Sequence, residues 1–256
     1  MDVTSRFHEL HRRGFFAMPN AWDVGSAVRL ERLGFSAVAT TSSGHAASLG
    51  KSDQEVTFDE LCAHVEAVAA SVSVPLSVDS ERLFSEDLDG VEANVGVFGR
   101  LGAAGVSIED YDPSTGSIDA IDVAADRVAA AVSGAQEHGL VVTARAENHL
   151  YGAGDLDDTI HRLLAYARAG AHCVYAPGLT ELSDITRVVD SVDTAVNVLL
   201  RPAGPPLVVL ADLGVRRVSV GGRLAHVAYD AMETEARSLL AHVAPPGEDP
   251  SSPRES

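Results

Sequence analysis

The chain has 256 residues, of which 46% are hydrophobic, and its 37 acidic and 19 basic residues give a formal net charge of −18. A surface this acidic repels phosphate backbones and anionic lipids, so we expect neither nucleic acid nor membranes as partners. There is no apolar run of the roughly 20 residues that span a bilayer, no signal-peptide pattern, and no disulfide framework or zinc motif in the two cysteines, so the expected setting is the cytoplasm.

Strands alternate with helices along the chain. The predicted strands start roughly 20 to 40 residues apart, which is the size of one βα unit. They lie at 15–18, 37–40, 76–78, 106–108, 141–144, 174–176, 196–199 and 218–220.

The segments between the strands have helical periodicity. Apolar residues fall on one face of 57–71, and Thr57 with Glu60 forms a capping box at its start. A second stripe runs through 155–169, with Asp155 as its cap, and a third through 182–189.

A glycine ends most of these helices shortly before the next strand, which suits the left-handed residue that closes a helix. The glycines in question are Gly34, Gly105, Gly139, Gly170 and Gly214. Eight βα units in a chain of this length predict a single (β/α)8 TIM barrel over residues 1–243, followed by a disordered tail at 244–256. An open doubly wound sheet is the alternative, although no Gly-x-Gly-x-x-Gly follows the first strand.

Polar side chains gather after the strands, where a barrel places its active site. Asp79, Glu81, Glu109 and Asp110 follow adjacent strands. Clustered carboxylates repel one another unless a cation joins them, and hard oxygen ligands suit Mg²⁺ or Mn²⁺. The other interpretation is that these acids only cap the following loops.

Other strand ends offer groups for an anionic substrate. Arg145 could clamp a substrate carboxylate or form an ion pair with Glu109 or Glu147. The stretch 41–44, Thr-Ser-Ser-Gly, could bind an anion with its backbone N–H groups or be a plain turn. Gly221-Gly222 could also bind an anion, or it could allow close packing of a helix against its strand. His45 and His149 are the two histidines near strand ends, whereas both cysteines are expected to be buried and inert.

The order of these motifs resembles the isocitrate lyase/phosphoenolpyruvate mutase superfamily, and its phosphonomutase-like branch in particular. The resemblance covers nearly the whole chain. Its most telling parts are Thr-Thr-Ser-Ser-Gly at 40–44, Ser-Leu-Gly-Lys-Ser-Asp at 48–53, Val-Asp-Ser-Glu at 78–81, Ser-Ile-Glu-Asp at 107–110 and Ala-Arg-Ala-Glu-Asn at 144–148.

The resemblance implies a Mg²⁺-dependent barrel that acts on small 2-oxo or 2-hydroxy acids through enolate-like intermediates. By position, Asp79 would be the main metal ligand, and Glu81 and Glu109 would hold the metal through water. The implied substrate contacts are Ser43, Gly44 and His45, largely through backbone N–H groups, with Asp53, Arg145 and Asn197. Homodimers or homotetramers that exchange the last helix, here about 223–243, are implied as well.

Two departures bear on the reaction. Lyases of the superfamily carry a Lys-Lys-Cys-Gly-His loop after the fourth strand and the mutases carry lysines there, whereas this chain has Tyr-Asp-Pro-Ser-Thr-Gly at 111–116. The usual Gly-Tyr-Gly after the acidic motif is replaced by Arg82-Leu83-Phe84, a bulkier loop that is expected to reshape the pocket.

Three functions are therefore open. The first is a Mg²⁺-dependent lyase that cleaves a C–C bond or decarboxylates a small 2-oxo or 2-hydroxy acid, with Tyr111, Asp53 or His149 handling the proton. The second is phosphonopyruvate-type P–C bond chemistry. The third is a non-catalytic 2-oxo-acid binding protein.

Overall fold

Eight parallel strands form the centre of the computed structural model, which describes residues 2–243. Met1 and the predicted tail at 244–256 lie outside the described residues. The strands are β1 (Phe16–Ala17), β2 (Val38–Ala39), β3 (Leu76–Asp79), β4 (Gly105–Glu109), β5 (Tyr111–Asp112), β6 (Ser117–Ile118), β7 (Val141–Arg145), β8 (Cys173–Tyr175), β9 (Ala195–Leu199) and β10 (Arg217–Ser219). All eight predicted strands are confirmed, and β5 with β6 adds a small antiparallel hairpin.

The helices between the strands include the three predicted ones. They are α1 (Val3–Arg12), α2 (Val24–Arg32), α3 (Ser42–Ser48), α4 (Phe58–Ala69), α5 (Leu88–Arg100), α6 (Ile121–Ala135), α7 (Leu156–Arg168), α8 (Leu182–Ser191), α9 (Leu207–Asp212) and α10 (Arg223–Val243). The capping box of Thr57 and Glu60 starts α4, and Asp155 caps α7. None of the described helices is both long and apolar enough to cross a bilayer.

The sheet closes into a barrel. Its strand order is β1-β10-β9-β8-β7-β4-β3-β2, so β1 and β2 are the two ends. Asn20 pairs with Ala39 in a parallel bridge, and the N–H of Ala39 donates to the carbonyl of Pro19, which joins these ends. The (β/α)8 prediction is therefore confirmed and the open doubly wound alternative is wrong. Exchange of the last helix stays a prediction.

The glycine pattern holds at four of its five positions. Gly34, Gly139, Gly170 and Gly214 have the positive φ that a helix end requires. Gly105 was assigned this role wrongly, because it lies within β4 and Gly102, with φ of 94°, ends α5 instead. A Cβ at Gly105 would lie 2.7 Å from the ring of Phe7, so this glycine makes room for α1.

Alternate residues of the strands face two different environments, as the period of a β-strand requires. The even-numbered residues of the central strands, such as Val106, Val142 and Val174, are buried in the apolar core. The odd-numbered residues point into the barrel, and most of them are polar: Ser77, Asp79, Ser107, Thr143, Arg145, Asn197, Arg217 and Ser219. The barrel interior is therefore a column of hydrogen-bonding groups.

Helix α1 closes the amino-terminal end of the barrel. Its Phe7 is fully buried and belongs to a separate apolar cluster with Phe16, Met18, Ala37 and Val141. Burial of a phenylalanine of this kind stabilises the fold by about 1.5–3 kcal/mol. The predicted site residues that line a cavity lie at the opposite, carboxyl-terminal end.

The loop after β3 holds Glu81 in a strained backbone. Glu81, Leu83 and Phe84 have φ of 49°, 64° and 53°, a region that costs L-residues about 1–2 kcal/mol each. Leu83 is fully buried, and Phe84 packs against Phe58. Neither side chain lines the cavity at the carboxyl-terminal end of the barrel. The expectation that this loop reshapes the pocket stays a prediction.

Arg127 of α6 stabilises this loop. It is 2% exposed, and its guanidinium donates to the carbonyls of Arg82, Ser85 and Glu86 at 2.7, 2.7 and 3.2 Å. Three hydrogen bonds from one buried cation fix the backbone that follows Glu81.

We expect Arg127→Met to lower the free energy of unfolding by about 2–4 kcal/mol, because three buried carbonyls lose a charged donor. Urea unfolding followed by circular dichroism measures this change. The matched control is Arg100→Met, an exposed arginine on the neighbouring helix, which should change the value by less than about 0.5 kcal/mol. Equal losses in the two variants would contradict the loop-stabilising role.

Candidate active site

Arg145 joins the acidic strand ends. Its Nη1 lies 2.7 Å from Oδ1 of Asp79 and 2.8 Å from Oε1 of Glu109, and its Nε lies 2.7 Å from Oε1 of Glu147. The sequence left open whether this arginine clamps a substrate or forms ion pairs, and in the structure the ion pairs are made. Its guanidinium also lies 5.2 Å from the ring centroid of Tyr175, at a cation–π distance.

The negative charge of this cluster exceeds its positive charge. Burial opposes the charge of Arg145, yet Glu109, Glu147 and Asp79 raise its pKa well above the ordinary value. Burial, with the charges of Asp79 and Asp53, raises the pKa of Glu81 to about 8. Burial also raises the pKa of Glu109 well above its ordinary value. A site that holds these carboxylates ionised therefore calls for a second cation.

The carboxylate oxygens of this cluster are ligands of the type that Mg²⁺ prefers. The carboxylates of Asp79 and Glu109 lie close together, since each has an oxygen within 2.8 Å of Nη1 of Arg145. Within residues 2–243, no three His, Cys, Asp or Glu side chains converge as a ready-made metal cluster. Mg²⁺ commonly uses one or two carboxylates and completes its shell with water. Asp79, Glu81 and Glu109 therefore fit a water-rich site.

Asp110 is not part of the acidic cluster. Its carboxylate accepts hydrogen bonds from the backbone N–H of Glu147, from Arg162 and from the hydroxyl of Tyr166. The loop-fixing interpretation of Asp110 is therefore the one that the structure supports.

A cavity of about 150 Å³ lies next to Arg145 at the carboxyl-terminal end of the barrel. The predicted site residues Ser43, Asp53, Asp79, Arg145 and Asn197 all line it. The other predicted site residues do not line it: Gly44, His45, Glu81, Glu109, Tyr111 and His149. The cavity therefore brings together part of the predicted substrate and metal set.

The predicted anion cradle at 41–44 is only partly available. Thr41 caps the short helix α3, and the N–H of Ser42 donates to Oδ2 of Asp79. The N–H of His45 donates to the carbonyl of Thr41, and that of Gly44 to the hydroxyl of Thr41. Gly44 and His45 therefore have no free backbone donor, because helix formation has used them, and Ser43 remains the substrate-facing member.

The ring of His45 stacks on His64 rather than pointing into the cavity. The ring centroids are 3.8 Å apart and the planes differ by 16°. Burial lowers the pKa of both rings, that of His64 to about 4. The pair therefore packs as two neutral rings behind the site.

Tyr111 lies outside the cavity lining and packs against a residue that the sequence analysis missed. Its ring stacks on Tyr151 at 4.1 Å with an interplanar angle of 4°. Burial and the nearby Glu109 and Glu147 raise the pKa of Tyr151 to about 12, so this phenol keeps its proton. The only signal in the sequence was the position of Tyr151 shortly after the fifth predicted strand.

Arg217 was also missed, because it lies at the start of its strand rather than at the end. It is 3% exposed and lines the floor of the cavity. Its Nε donates to Oδ1 of Asn197 and its Nη2 to the hydroxyl of Thr143. Asn197 is thereby oriented, and its amide nitrogen donates to Ser219.

Comparisons with known proteins show the family to which the chain is similar. The sequence model of the phosphoenolpyruvate phosphomutase family matches residues 7–240. An uncharacterised protein of Mycobacterium tuberculosis is 34% identical over 217 residues, which are 84% of this chain and 81% of that protein. An oxaloacetate decarboxylase of Paraburkholderia xenovorans is 31% identical over 237 residues, which are 87% and 77% of the two chains. The crystal structure of a candidate lyase/mutase from Burkholderia cenocepacia J2315 is 40% identical, with a TM-score of 0.89 over 96% of this chain and 93% of that one.

The His45–His64 stack predicts a pH dependence of stability. The pKa of His64 is about 4 in the fold against an ordinary value of 6.5, so the unfolded chain binds more protons between these values. The free energy of unfolding therefore falls as the pH falls through this window. His64→Gln should flatten the dependence by up to about 1.4 kcal/mol per pH unit.

Urea unfolding at several pH values across this window measures the slope. The control is His161→Gln, an exposed histidine of α7, which should keep the slope of the original chain. A slope that His64→Gln leaves unaltered would show that this ring is protonated in the fold.

Proposed function

We propose a Mg²⁺-dependent lyase function, from the premise that this chain belongs to the phosphoenolpyruvate phosphomutase family, within the isocitrate lyase/phosphoenolpyruvate mutase superfamily. The reaction is C–C bond cleavage or decarboxylation of a small 2-oxo or 2-hydroxy acid through an enolate-like intermediate. The observation that carries the proposal is the convergence of Asp79 and Glu109 on Arg145 beside a small cavity. The 31% identity to an oxaloacetate decarboxylase supports the same class of substrate.

The cavity favours a small acid. Its volume of about 150 Å³ is well below the roughly 300–1,000 Å³ of sites for drug-sized ligands. Arg145 donates to the described residues through Nε and Nη1, which leaves Nη2 for a substrate carboxylate. Ser43 and Asn197 line the same space and supply neutral hydrogen-bonding groups.

Mg²⁺ held by Asp79, with Glu81 and Glu109 through water, would stabilise the negative charge that develops on the substrate oxygen. Arg145 orients the substrate and neutralises its carboxylate. Its position is fixed by Glu147 and Tyr175, so the guanidinium needs no reorganisation during the reaction.

Asp53 is the proton-handling residue that the geometry favours among the three predicted. It lines the cavity, whereas Tyr111 and His149 lie outside its lining. Neither cysteine takes part, because Cys173 lies in β8 beneath the site and Cys62 lies on α4. Both thiols are free among the described residues, which supports a reducing compartment such as the cytoplasm.

A non-catalytic 2-oxo-acid binding protein is the second candidate, and the β5–β6 hairpin is the observation that favours it. This short hairpin occupies the place after the fourth barrel strand where the family's lyases carry a cysteine and its mutases carry lysines. The loss of these groups also weighs against phosphonopyruvate-type P–C chemistry.

Small 2-oxo acids, 2-hydroxy acids and phosphonates, each tested with and without Mg²⁺, separate these functions. Thermal shift identifies binding, and NMR of each mixture over time identifies consumption. A ligand that requires Mg²⁺ and is consumed supports the enzyme and names its reaction, while one that stays intact supports the binder. If Mg²⁺ affects the binding of none of these acids, the proposed metal site is wrong.

We expect Asp79→Asn to abolish Mg²⁺-dependent ligand binding, because it removes a charge from the proposed metal site while its oxygen still accepts from Ser42. Isothermal titration with the acid found in the preceding experiment measures this loss. Asp89→Asn, an exposed position on α5, should bind as the original chain does. Retained Mg²⁺ dependence in a folded Asp79→Asn protein would remove Asp79 from the site.

Homodimers or homotetramers are part of the same proposal, and α10 supports them. Among its 21 residues Ala225 is the buried one, while Val227, Met232, Leu239 and Leu240 are 58–63% exposed. Such a row of apolar side chains suits contact with a second copy. Light scattering should give a dimer or larger mass that Leu239→Glu with Leu240→Glu reduces, and a monomeric original chain would contradict the proposal.

A further inference from the structure

A second cavity lies at the opposite, amino-terminal end of the barrel and has a volume of about 660 Å³. It is bounded by α1 and by the residues just before β8, β9 and β10. None of the predicted site residues lines it. Its polar lining comprises His8, His11, Arg12, His172, Asp193, Thr194 and Arg216.

The charge of this lining is opposite to that of the chain. Arg12 and Arg216 face a single acid, Asp193, whereas the whole chain carries a net charge of −18. Within residues 2–243, Arg12 forms one ion pair, of 3.6 Å to Glu9, and Arg216 donates to the carbonyl of Gly14 through one nitrogen, Nη1. Both guanidinium groups therefore keep unused donors for an anion.

A neutral donor accompanies these two cations. The backbone N–H of Val142 donates to Nδ1 of His172 at 3.0 Å, so the neutral ring carries its proton on Nε2. Burial lowers the pKa of His172 to about 4, which keeps the ring in this neutral form. His8 packs edge-on against it, with ring centroids 4.9 Å apart.

A buried cation lies behind the cavity wall. Arg217 is 3% exposed, and its Nη1 donates to Nε2 of His11, a ring that lines the cavity. His11 accepts there because its Nδ1 donates to the carbonyl of Phe7. Arg217 forms no ion pair with any carboxylate of residues 2–243, and its three hydrogen-bond partners are neutral. A buried charge without a counterion is costly, so an anion close behind His11 would lower that cost.

We propose that this amino-terminal cavity binds a small multivalent oxyanion, of the phosphate or polycarboxylate type, between Arg12, Arg216 and His172. The two guanidinium groups supply charge and paired N–H donors, which match the oxygens of such a ligand. Arg217 links the bound anion to the other end of the barrel, because it also donates to Asn197 in the candidate active site.

Isothermal titration of the full chain with inorganic phosphate and, separately, with citrate tests the proposal in the absence of Mg²⁺. We expect saturable binding of at least one of them, with an affinity that falls by about tenfold or more in Arg12→Gln and in Arg216→Gln. A response to phosphate alone or to citrate alone identifies which type of oxyanion fits. The absence of saturable binding of either would overturn the proposal.

Two controls separate this cavity from other basic sites. Arg13→Gln changes a neighbouring arginine that pairs with Glu9 but does not line the cavity, and it should keep the affinity within about twofold. Asp79→Asn alters the candidate active site and should also leave the affinity within about twofold. Arg12 is highly exposed, so Arg12→Gln tests the site without a risk to folding. Equal losses of affinity in Arg12→Gln and Arg13→Gln would show that the anion responds to the net charge of the chain and would reject the proposed site.

Discussion

The ion pairs of Arg145 determine where chemistry can take place in this barrel. One guanidinium joins the ends of three adjacent strands, since Asp79 ends β3, Glu109 ends β4 and Arg145 itself ends β7. Removing such groups from water costs several kcal/mol per ion, and the cost is offset only where each charge has close partners. Burial, together with the charges of Asp79 and Asp53, raises the pKa of Glu81 to about 8. The acidic cluster at the carboxyl-terminal end of the barrel would therefore be stabilised by a second cation.

The two buried arginines of the barrel interior have opposite environments. Arg145 lies among carboxylates near the carboxyl-terminal end, whereas Arg217 lies among neutral acceptors near the amino-terminal end. Polar side chains at alternate strand positions connect them, including Thr143 and Asn197. The interior thus carries excess negative charge at one end and excess positive charge at the other. For this reason we expect a cation to accompany the substrate at the carboxyl-terminal end and an anion to bind alone at the amino-terminal end.

Much of the fold could be predicted because its signals are local. The short β-branched runs of the strands, the capping box at Thr57 and the glycines after helices depend on neighbours within a few positions. The barrel followed from the number and spacing of these units. The early helix α1 was not predicted, since the apolar cluster around Phe7 that holds it includes residues from distant strands. Gly105 was misjudged for the same reason, because its role is to admit Phe7.

The site was predicted as far as strand ends determine it. Asp79, Arg145 and Asn197 meet at one cavity because parallel strands bring their carboxyl ends together. For the stretch 41–44 the sequence left an anion cradle and a plain turn open. In the structure it starts α3, because a run of small polar residues also suits the first turn of a helix. Tyr151 and Arg127 were missed because their partners, Tyr111 and the loop after β3, are distant in sequence.

The hairpin after β4 limits the reactions that this site can support. It is held in place, because Arg82 and Arg162 both bind Asp119 beyond its second strand and Tyr111 stacks on Tyr151. The hairpin has neither the cysteine nor the lysines, and its Tyr111 and Asp112 lie outside the cavity lining. The proton must therefore be handled by groups that line the cavity or by water. Retro-aldol cleavage needs a base for the hydroxyl as well as stabilisation of the enolate. Decarboxylation of a 2-oxo acid needs only the stabilisation, followed by a proton from solvent. Of the reactions in the proposed class, decarboxylation therefore makes the smallest demand on the residues that this chain provides.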